Sequence, residues 1–262
     1  MSSLKFVDDM ACIQRSVAQC HDQAVRRGMV LDVMQPQTGE LVLEVGCGGG
    51  FYAYEVAQCV GPTGLVCAID YSADQIATAK SYCADMEWVN CRVGDISELP
   101  YESSTFDAVY GIQVFEYIDQ LDAALHEVQR VLRPGGRCII LSTDWRTAVW
   151  HSHQVERMQR ILTAWETHSA TLDLPAIIGV KLQNIGLEPL RQTPMSFLNR
   201  SYHRNSFSYW AARVIRSFVE GKHEITAEEA DAWFNEFELL EQQHAYFFCL
   251  TSVLTEAIKT VR

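Results

Sequence analysis

Short apolar runs alternate with helix-compatible segments along the first half of the chain. Apolar runs that end in turn residues predict buried strands, and amphipathic stretches between them predict helices. The expected strands are residues 41–45, 65–69, 87–93, 106–110 and 137–142, and the expected helices are residues 52–60, 73–83 and 121–132. Ser72 and Gln75 have capping-box spacing, which fixes the start of the second helix. This alternation predicts a parallel sheet with helices on both faces.

The second half has longer helical patterns and fewer strands. Helices are expected over residues 152–170 and 175–184. Strands are expected within residues 187–198, with interruptions at Pro189 and Pro194, and over residues 245–250. Apolar residues from Phe207 to Val219 repeat with the period of one helix face, and the pair Thr226 and Glu229 has the spacing of a capping box. We therefore expect a helical cap at about residues 200–243, beside the ligand crevice.

A glycine turn follows the first predicted strand at Gly46, Gly48 and Gly50. Glycines remove the Cβ atoms that keep a ligand away from the backbone, and the next helix presents free amides at its start. A ligand with a polar or charged end is one interpretation of this turn. A plain connection between strand and helix is the other.

A dinucleotide oxidoreductase is the first competing function, because its fingerprint is Gly-x-Gly-x-x-Gly after a strand. Here Phe51 occupies the third glycine position. A bulky ring there holds the helix away from the strand, so the pattern fits Gly-x-Gly-x-Gly, which suits an adenosine ligand without the pyrophosphate.

Composition narrows the possible partners. The 262 residues carry a formal charge of -12, which repels nucleic acid. Neither a signal-peptide pattern nor a membrane-spanning run is present, so we expect a cytoplasmic protein without stable membrane insertion. Nine cysteines without a Cys-x-x-Cys pair predict reduced, buried thiols, with a soft-metal site assembled in space as the alternative.

Five segments, in order and with matching spacing, resemble the motifs of class I S-adenosylmethionine-dependent methyltransferases, most closely the branch of ubiquinone and menaquinone biosynthesis and small-molecule enzymes. These segments are residues 44–50, 68–72, 94–100, 106–109 and 131–136. The resemblance covers about residues 20–145. It implies an α/β fold with a Rossmann-like seven-stranded sheet, mostly parallel with an antiparallel last strand, and a helical cap inserted before that strand.

The resemblance also implies S-adenosylmethionine as the cofactor. The residues expected to bind it are Glu44, Gly46, Cys47, Gly48, Gly50, Asp70, Tyr71, Asp95, Ile96 and Gly111. Asp70 is expected to accept hydrogen bonds from both ribose hydroxyls, and Asp95 is expected to accept one from the adenine amino group. Each of the two acids also fits the role of a turn or cap carboxylate. Glu44 is expected at the amino end of the cofactor, and Tyr71 or Ile96 on the adenine face.

Methyl transfer is an in-line displacement, which depends on positioning more than on one obligatory catalytic residue. The catalytic candidates are His151, His153 and Tyr202, and the substrate candidates are Gln113, Tyr117, Trp145 and Trp210. The two histidines fit a general base, a metal pair or ordinary surface residues, and we expect no metal. The aromatic residues fit either a cage for a cationic or ring-shaped substrate or a packed core.

The predicted organisation is one methyltransferase domain over residues 1–262. It has an N-terminal helical lid over 1–40, a cofactor-binding core over 41–143 and a substrate-side half over 144–262. The predicted function is methyl transfer to a small-molecule acceptor, with a homodimer as a possible assembly. The alternatives are a non-catalytic subunit that binds the cofactor and, less favoured, an NAD-dependent oxidoreductase.

Overall fold

The computed structural model describes residues 16–261. Their helices and strands follow in the order α1 (His21–Met34), β1 (Leu41–Val45), α2 (Phe51–Val60), β2 (Leu65–Asp70), α3 (Ala73–Tyr82), β3 (Val89–Val93), β4 (Phe106–Ile112), α4 (Leu121–Val131), β5 (Leu132–Thr143), β6 (Val149–Trp150), α5 (Val155–Glu166), α6 (Leu174–Asn184), β7 (Leu187–Asn199), α7 (Phe207–Val219), α8 (Ala227–Gln242) and β8 (Phe248–Lys259). Short 3-10 helices lie at Phe115–Tyr117 and Trp145–Thr147.

The described chain divides into two compact units. The sheet unit contains Met29–Thr143, Asp173–Pro194 and residues 253–261. The helical unit contains residues 16–28, Asp144–Leu172 and Met195–Ser252. Helix α1 and strands β7 and β8 each contribute residues to both units. Between residues 16 and 261, no helix is long and apolar enough to cross a bilayer.

The strands follow the order β3-β2-β1-β4-β5-β8-β6, and β7 pairs with β8. Strands β1 to β5 pair in parallel, and the C-terminal strands run antiparallel. The predicted α/β, Rossmann-like fold is therefore confirmed. The sheet has eight strands where seven were expected, because the two-residue strand β6 pairs with β8 through Val149 and Cys249.

Strand β1 shows how the sheet unit separates its two faces. Side chains alternate along a strand, so Leu43 and Val45 point to one face and Glu44 to the other. The first face packs in a buried cluster with α4 and α6, for example with Leu125 and Ile178. A carboxylate is thereby placed on the opposite face, in the middle of a strand with no exposed side chain.

Two predicted strands differ from the structure at their ends. The fifth strand begins five residues earlier than expected, at Leu132, because Leu132 pairs with Phe106 before the chain loops out through residues 133–136. Gly135, within this bulge, has a left-handed φ of 78°. Strand β8 continues to Lys259, well past the expected end at residue 250, since its second half alternates polar and buried positions.

Strand β7 is continuous, although Pro189 and Pro194 were expected to interrupt it. Among the described strands it pairs only with β8. An edge strand tolerates proline because one side of its backbone needs no hydrogen-bond donor.

Both predicted capping boxes are confirmed. The Ser72 hydroxyl accepts from the Gln75 amide at 3.3 Å, and the Thr226 hydroxyl accepts from the Glu229 amide at 3.2 Å. The predicted N-terminal helical lid contains α1, while its residues 1–15 lie outside the described residues. The lid role stays a prediction.

The helical unit is held together by aromatic packing. Helices α5, α7 and α8 share one buried cluster with Trp233 at its centre, fully buried. His168 follows α5 and is also buried. Its ring stacks on Trp165 with centroids 3.7 Å apart, and its Nδ1–H donates to the Trp165 carbonyl oxygen at 2.5 Å. Burial lowers the pKa of His168 to about 4.

We predict that His168 makes the helical unit sensitive to acid. The unfolded chain binds the proton more tightly than the folded one, so the stability from a neutral His168 is complete above the ordinary pKa of 6.5 and is lost as the pH falls towards about 4. The full effect is about 3 kcal/mol. Thermal melts of His168→Asn between pH 7 and pH 4 should show a shallower fall in melting temperature than wild type. The exposed His126→Asn is the control, and an unchanged slope for His168→Asn contradicts the prediction.

Candidate functional site

The three turn glycines between β1 and α2 all have left-handed backbones, with φ of 68°, 50° and 84° at Gly46, Gly48 and Gly50. A Cβ on Gly46 would lie 2.2 Å from Val114 Cγ2, and one on Gly50 would lie 3.0 Å from Ala79 Cα. A Cβ on Gly48 would meet no atom nearer than 3.9 Å. Packing therefore requires two of the glycines, and the third leaves open space in front of the backbone.

Asp70 ends β2 and ties that strand to the glycine turn. Its Oδ2 accepts from the Gly48 amide and its Oδ1 from the Ser72 amide, each at 2.9 Å. Burial raises the pKa of Asp70, and the two amide hydrogen bonds oppose that rise. Each carboxylate oxygen can accept more than one hydrogen bond, so both oxygens keep capacity for the hydroxyl groups of a ligand.

Asp95 and Ile96 follow β3, the strand beside β2. The exposed Asp95 accepts from the amide and the hydroxyl of Ser97 through Oδ1, at 2.8 and 2.7 Å, and these bonds lower its pKa. Ile96 is buried. Because Asp70 lies opposite Val93 in the parallel register, the acids after β2 and β3 lie at the same edge of the sheet.

Glu44 is buried in β1, on the face away from α4 and α6. The Tyr110 hydroxyl donates to Glu44 Oε2 at 3.0 Å, and burial raises the pKa of Glu44 well above its ordinary value. Burial therefore disfavours the ionised form of this acid, while a cation placed beside it favours the carboxylate.

The end of β4 carries Gly111 and Gln113. A Cβ on Gly111 would lie 2.6 Å from the Phe115 ring and 2.9 Å from Val45, so packing accounts for this glycine. Gln113 has a left-handed backbone with φ of 56°, and its amide side chain donates to the Thr143 hydroxyl at 2.5 Å. A non-glycine residue held in this conformation at a strand end is typical of functional sites.

The other predicted residues of the sheet unit differ in exposure. Tyr71 is 69% exposed beside Asp70, and Cys47 is 6% exposed. The Cys47 amide donates to the Ile69 carbonyl at 2.9 Å, which joins the turn to β2 through the backbone. Tyr117 is half-buried in the short helix after β4.

The predicted catalytic residues belong to the helical unit. His151 and His153 are exposed, with ring centroids 5.3 Å apart. Within residues 16–261, no group of three or more His, Cys, Asp or Glu side chains is arranged to hold a metal ion. Tyr202 is buried, and burial raises its pKa to about 12, although the Arg213 guanidinium opposes the rise. A phenol in this state is a poor base at neutral pH.

The two predicted substrate tryptophans also lie in the helical unit. Trp145 is buried and packs edge-to-face on Trp165 at 5.4 Å. Trp210 is half-buried, and its indole N–H donates to the Arg204 carbonyl at 2.7 Å. Packing explains Trp145 without a ligand, while Trp210 keeps part of its ring accessible.

Two partners in the sheet unit had no signal of their own in the sequence. Tyr110 lies in a buried strand, and only the register of β1 and β4 places it opposite Glu44. Thr143 ends β5, and it meets Gln113 only after β4 and β5 have paired.

This geometry is that of a class I methyltransferase fold, with a glycine turn after β1 and acids after β2 and β3. The model of a methyltransferase domain family matches residues 43–140. Residues 43–140 are therefore a methyltransferase domain, in agreement with the resemblance to the class I S-adenosylmethionine-dependent methyltransferases.

Individual relatives agree with this family. Over 124 residues, 47% of the chain, it is 39% identical to a demethylmenaquinone methyltransferase of Staphylococcus aureus, of which those residues cover 51%. It is also 34% identical over 119 residues to a 37.1 kDa protein in transposon TN4556 of Streptomyces fradiae, covering 45% of this chain and 34% of that protein. The chain thus spans about half or less of the length of these curated relatives.

Solved structures share the fold. Phosphoethanolamine N-methyltransferase 2 of Haemonchus contortus, in complex with S-adenosyl-L-methionine, has a TM-score of 0.62 at 16% identity, covering 99% of this chain and 59% of that one. A geranyl diphosphate methyltransferase in complex with SAM has a TM-score of 0.57 at 16% identity. The match covers 96% of this chain and 92% of that one. At these identities the likeness concerns the fold alone.

We predict different effects for alanine at two of the turn glycines. Gly46→Ala forces a methyl group into Val114 and should lower the free energy of unfolding by about 2 kcal/mol or more. Gly48→Ala meets open space and should cost only about 1 kcal/mol, the strain of a left-handed alanine. Thermal melts compare the two variants. Equal destabilisation contradicts the assignment of Gly48 to an open cradle.

Proposed function

We propose that this protein transfers a methyl group from S-adenosylmethionine to a small-molecule acceptor. The observation that carries the proposal is the Asp70 carboxylate, which is fixed by the Gly48 and Ser72 amides and still has free acceptor capacity. A carboxylate of this kind suits the paired hydroxyls of a ribose, because charged acceptors make the stronger hydrogen bonds.

The rest of the sheet unit supports the same ligand. Open space at Gly48 lets the backbone approach the methionine part. Asp95 keeps Oδ2 available for the adenine amino group. Buried Ile96 and exposed Tyr71 offer apolar surface to the adenine ring. Gly46, Cys47, Gly50 and Gly111 are assigned to the shape of the cradle.

Glu44 is assigned to the amino end of the methyl donor. Its carboxyl group is buried and accepts a hydrogen bond from the Tyr110 hydroxyl. A ligand ammonium would favour its ionised form and so offset the cost of burying the charge.

S-adenosylmethionine supplies an electrophilic methyl group on a sulfonium. The chain's own contribution is to bind and orient, because positioning and the exclusion of water account for much of the rate of such a displacement. His151 and His153 remain candidates for a base, which an acceptor hydroxyl would need and a neutral amine would not. Tyr202 remains the third catalytic candidate, and the candidates for acceptor binding remain Gln113, Tyr117, Trp145 and Trp210.

The proposal also covers the domain organisation, the location and the assembly of the whole chain. We assign it a single methyltransferase domain, with a lid over residues 1–40, a core over 41–143 and a cap over about 200–243. A cytoplasmic location and a homodimer belong to the same proposal. The acceptor can be identified by mass spectrometry after the protein is incubated with isotope-labelled donor and metabolite extracts. Donor binding without transfer to any acceptor favours a non-catalytic subunit.

We predict that Asp70→Asn weakens the binding of S-adenosylhomocysteine by about 10- to 100-fold, which corresponds to hydrogen bonds to a charged group. Isothermal titration calorimetry measures the change. Asp74→Asn is the matched control, because Asp74 is an exposed acid in the first turn of α3. Wild-type affinity in Asp70→Asn, or no binding by the wild-type protein, would falsify the proposal.

We predict that Glu44→Gln separates stability from donor binding. The pKa of Glu44 is raised on folding, so its stabilising contribution is complete below the ordinary pKa of 4.5 and declines as the pH rises through the raised value. The variant should therefore melt higher than wild type near neutral pH and no higher at pH 4. It should also bind S-adenosylhomocysteine about tenfold more weakly, because the ammonium loses its charged partner.

The pH dependence of binding gives the second readout. Wild-type affinity for S-adenosylhomocysteine should rise as Glu44 ionises, and the glutamine variant should lack that rise. If both proteins show the same pH profile in calorimetry, Glu44 does not contact the ammonium.

A further inference from the structure

Arg213 in helix α7 is a half-buried guanidinium among aromatic rings. Its Cζ lies 3.5 Å from the centroid of the Tyr209 ring, 5.0 Å from that of Phe234 and 5.8 Å from that of Trp210. The centroid of the Tyr202 ring is 5.9 Å away, so the side chain stacks on one ring and has three further rings beside it.

Hydrogen bonds fix the orientation of this guanidinium. Nη1 donates to the Tyr202 hydroxyl at 3.1 Å and to the Tyr209 carbonyl at 3.0 Å, and Nη2 donates to the Tyr209 hydroxyl at 2.6 Å. Tyr202 and Tyr209 are themselves buried. An arginine held in this way loses little further freedom when it binds a ligand.

The charge of Arg213 has no counter-ion among the residues that the structure describes. No carboxylate of the described chain lies within 4.0 Å of its nitrogens. The carboxylate of Glu241 accepts from the Tyr202 amide through Oε2 at 2.7 Å. By contrast, Arg216, one turn further along α7, pairs with both Glu220 and Asp231.

Part of the donor capacity of Arg213 is unused. A guanidinium has five N–H groups, and three of them donate within the described chain. Nε donates to no atom of the described residues and is not fully buried. An Nε–H and a neighbouring Nη–H form the fork that matches the two oxygens of a carboxylate or phosphate.

We infer that Arg213 binds the carboxylate or phosphate group of a small aromatic molecule. The anion would complete the hydrogen bonds of the guanidinium and neutralise it. The half-buried rings of Trp210 and Phe234 would contact the aromatic part. That this molecule is the methyl acceptor rests on the proposed function, whereas the anion site itself does not.

Phenyl phosphate and benzoate are the probes, and benzyl alcohol is the neutral control. Ligand-observed NMR titrations of the full chain, with S-adenosylhomocysteine present, should show saturable binding of at least one anion, at least tenfold tighter than the alcohol. Whichever anion binds better identifies the preferred group. Equal affinity for the alcohol and the anions would overturn the inference, and so would no saturable binding of either anion.

Variants locate the site. Arg213→Met should weaken the better anion at least tenfold, and Arg213→Lys should weaken it several-fold, because lysine keeps the charge and loses the planar fork. Arg216→Met should bind like wild type. An unchanged affinity in Arg213→Lys and Arg213→Met would overturn the inference, and the lysine variant serves alone if the methionine variant does not fold.

S-adenosylhomocysteine binding distinguishes this inference from the proposed function. Arg213→Met and Arg213→Lys should keep wild-type affinity for it in calorimetry. Loss of anion binding with donor binding intact supports the Arg213 site. Failure of the wild-type protein to bind S-adenosylhomocysteine overturns the proposed function and leaves the anion titration as a separate test.

Discussion

The hydrogen bond between the Gly48 amide and the Asp70 carboxylate is the interaction on which the candidate donor site depends. It joins the glycine turn after β1 to the end of β2, and the second oxygen of Asp70 holds the Ser72 amide at the start of α3. The left-handed backbone at Gly48 directs that amide towards the carboxylate. Turn, strand end and helix start are therefore fixed before any ligand arrives, which is how a site avoids the free-energy cost of ordering itself on binding.

The same unit holds a second acid in the opposite kind of environment. Asp70 receives two backbone donors, whereas Glu44 is fully enclosed and meets a phenol. Burial raises both pKa values, but only Glu44 is raised well above its ordinary value. Asp70 is thus suited to accept hydrogen bonds from neutral hydroxyls, while the charge of Glu44 responds to what is placed beside it. Two carboxyl groups of similar chemistry gain different roles from their positions, one at a strand end and one inside a strand.

The first half of the fold was predictable because each of its signals is local. Apolar runs, glycine turns and capping residues such as Ser72 act within a few positions of the chain, and the structure follows them closely. The misses involve pairing between distant segments. Neither the continuation of β8 to Lys259 nor the prolines inside β7 can be judged without knowing which strand lies beside them. The site shows the same difference. Asp70 was predictable because it belongs to a local motif, whereas Tyr110 becomes the partner of Glu44 only through the register of two strands.

The helical unit resists prediction for a different reason. Aromatic side chains have the same chemistry in a packed core and on a ligand-binding surface. Composition and helical period therefore do not distinguish Trp145, which is buried, from Trp210, which is half-buried. Charge separates them better, because a half-buried cation needs a partner and an aromatic ring does not. In a chain with 33 acidic and 21 basic residues, acids are abundant as partners for arginines, and Arg216 has two. Among the described residues, Arg213 instead donates to tyrosines, and its Nε has no partner. This arrangement indicates an anionic ligand, whereas the surrounding rings fit a packed core equally well.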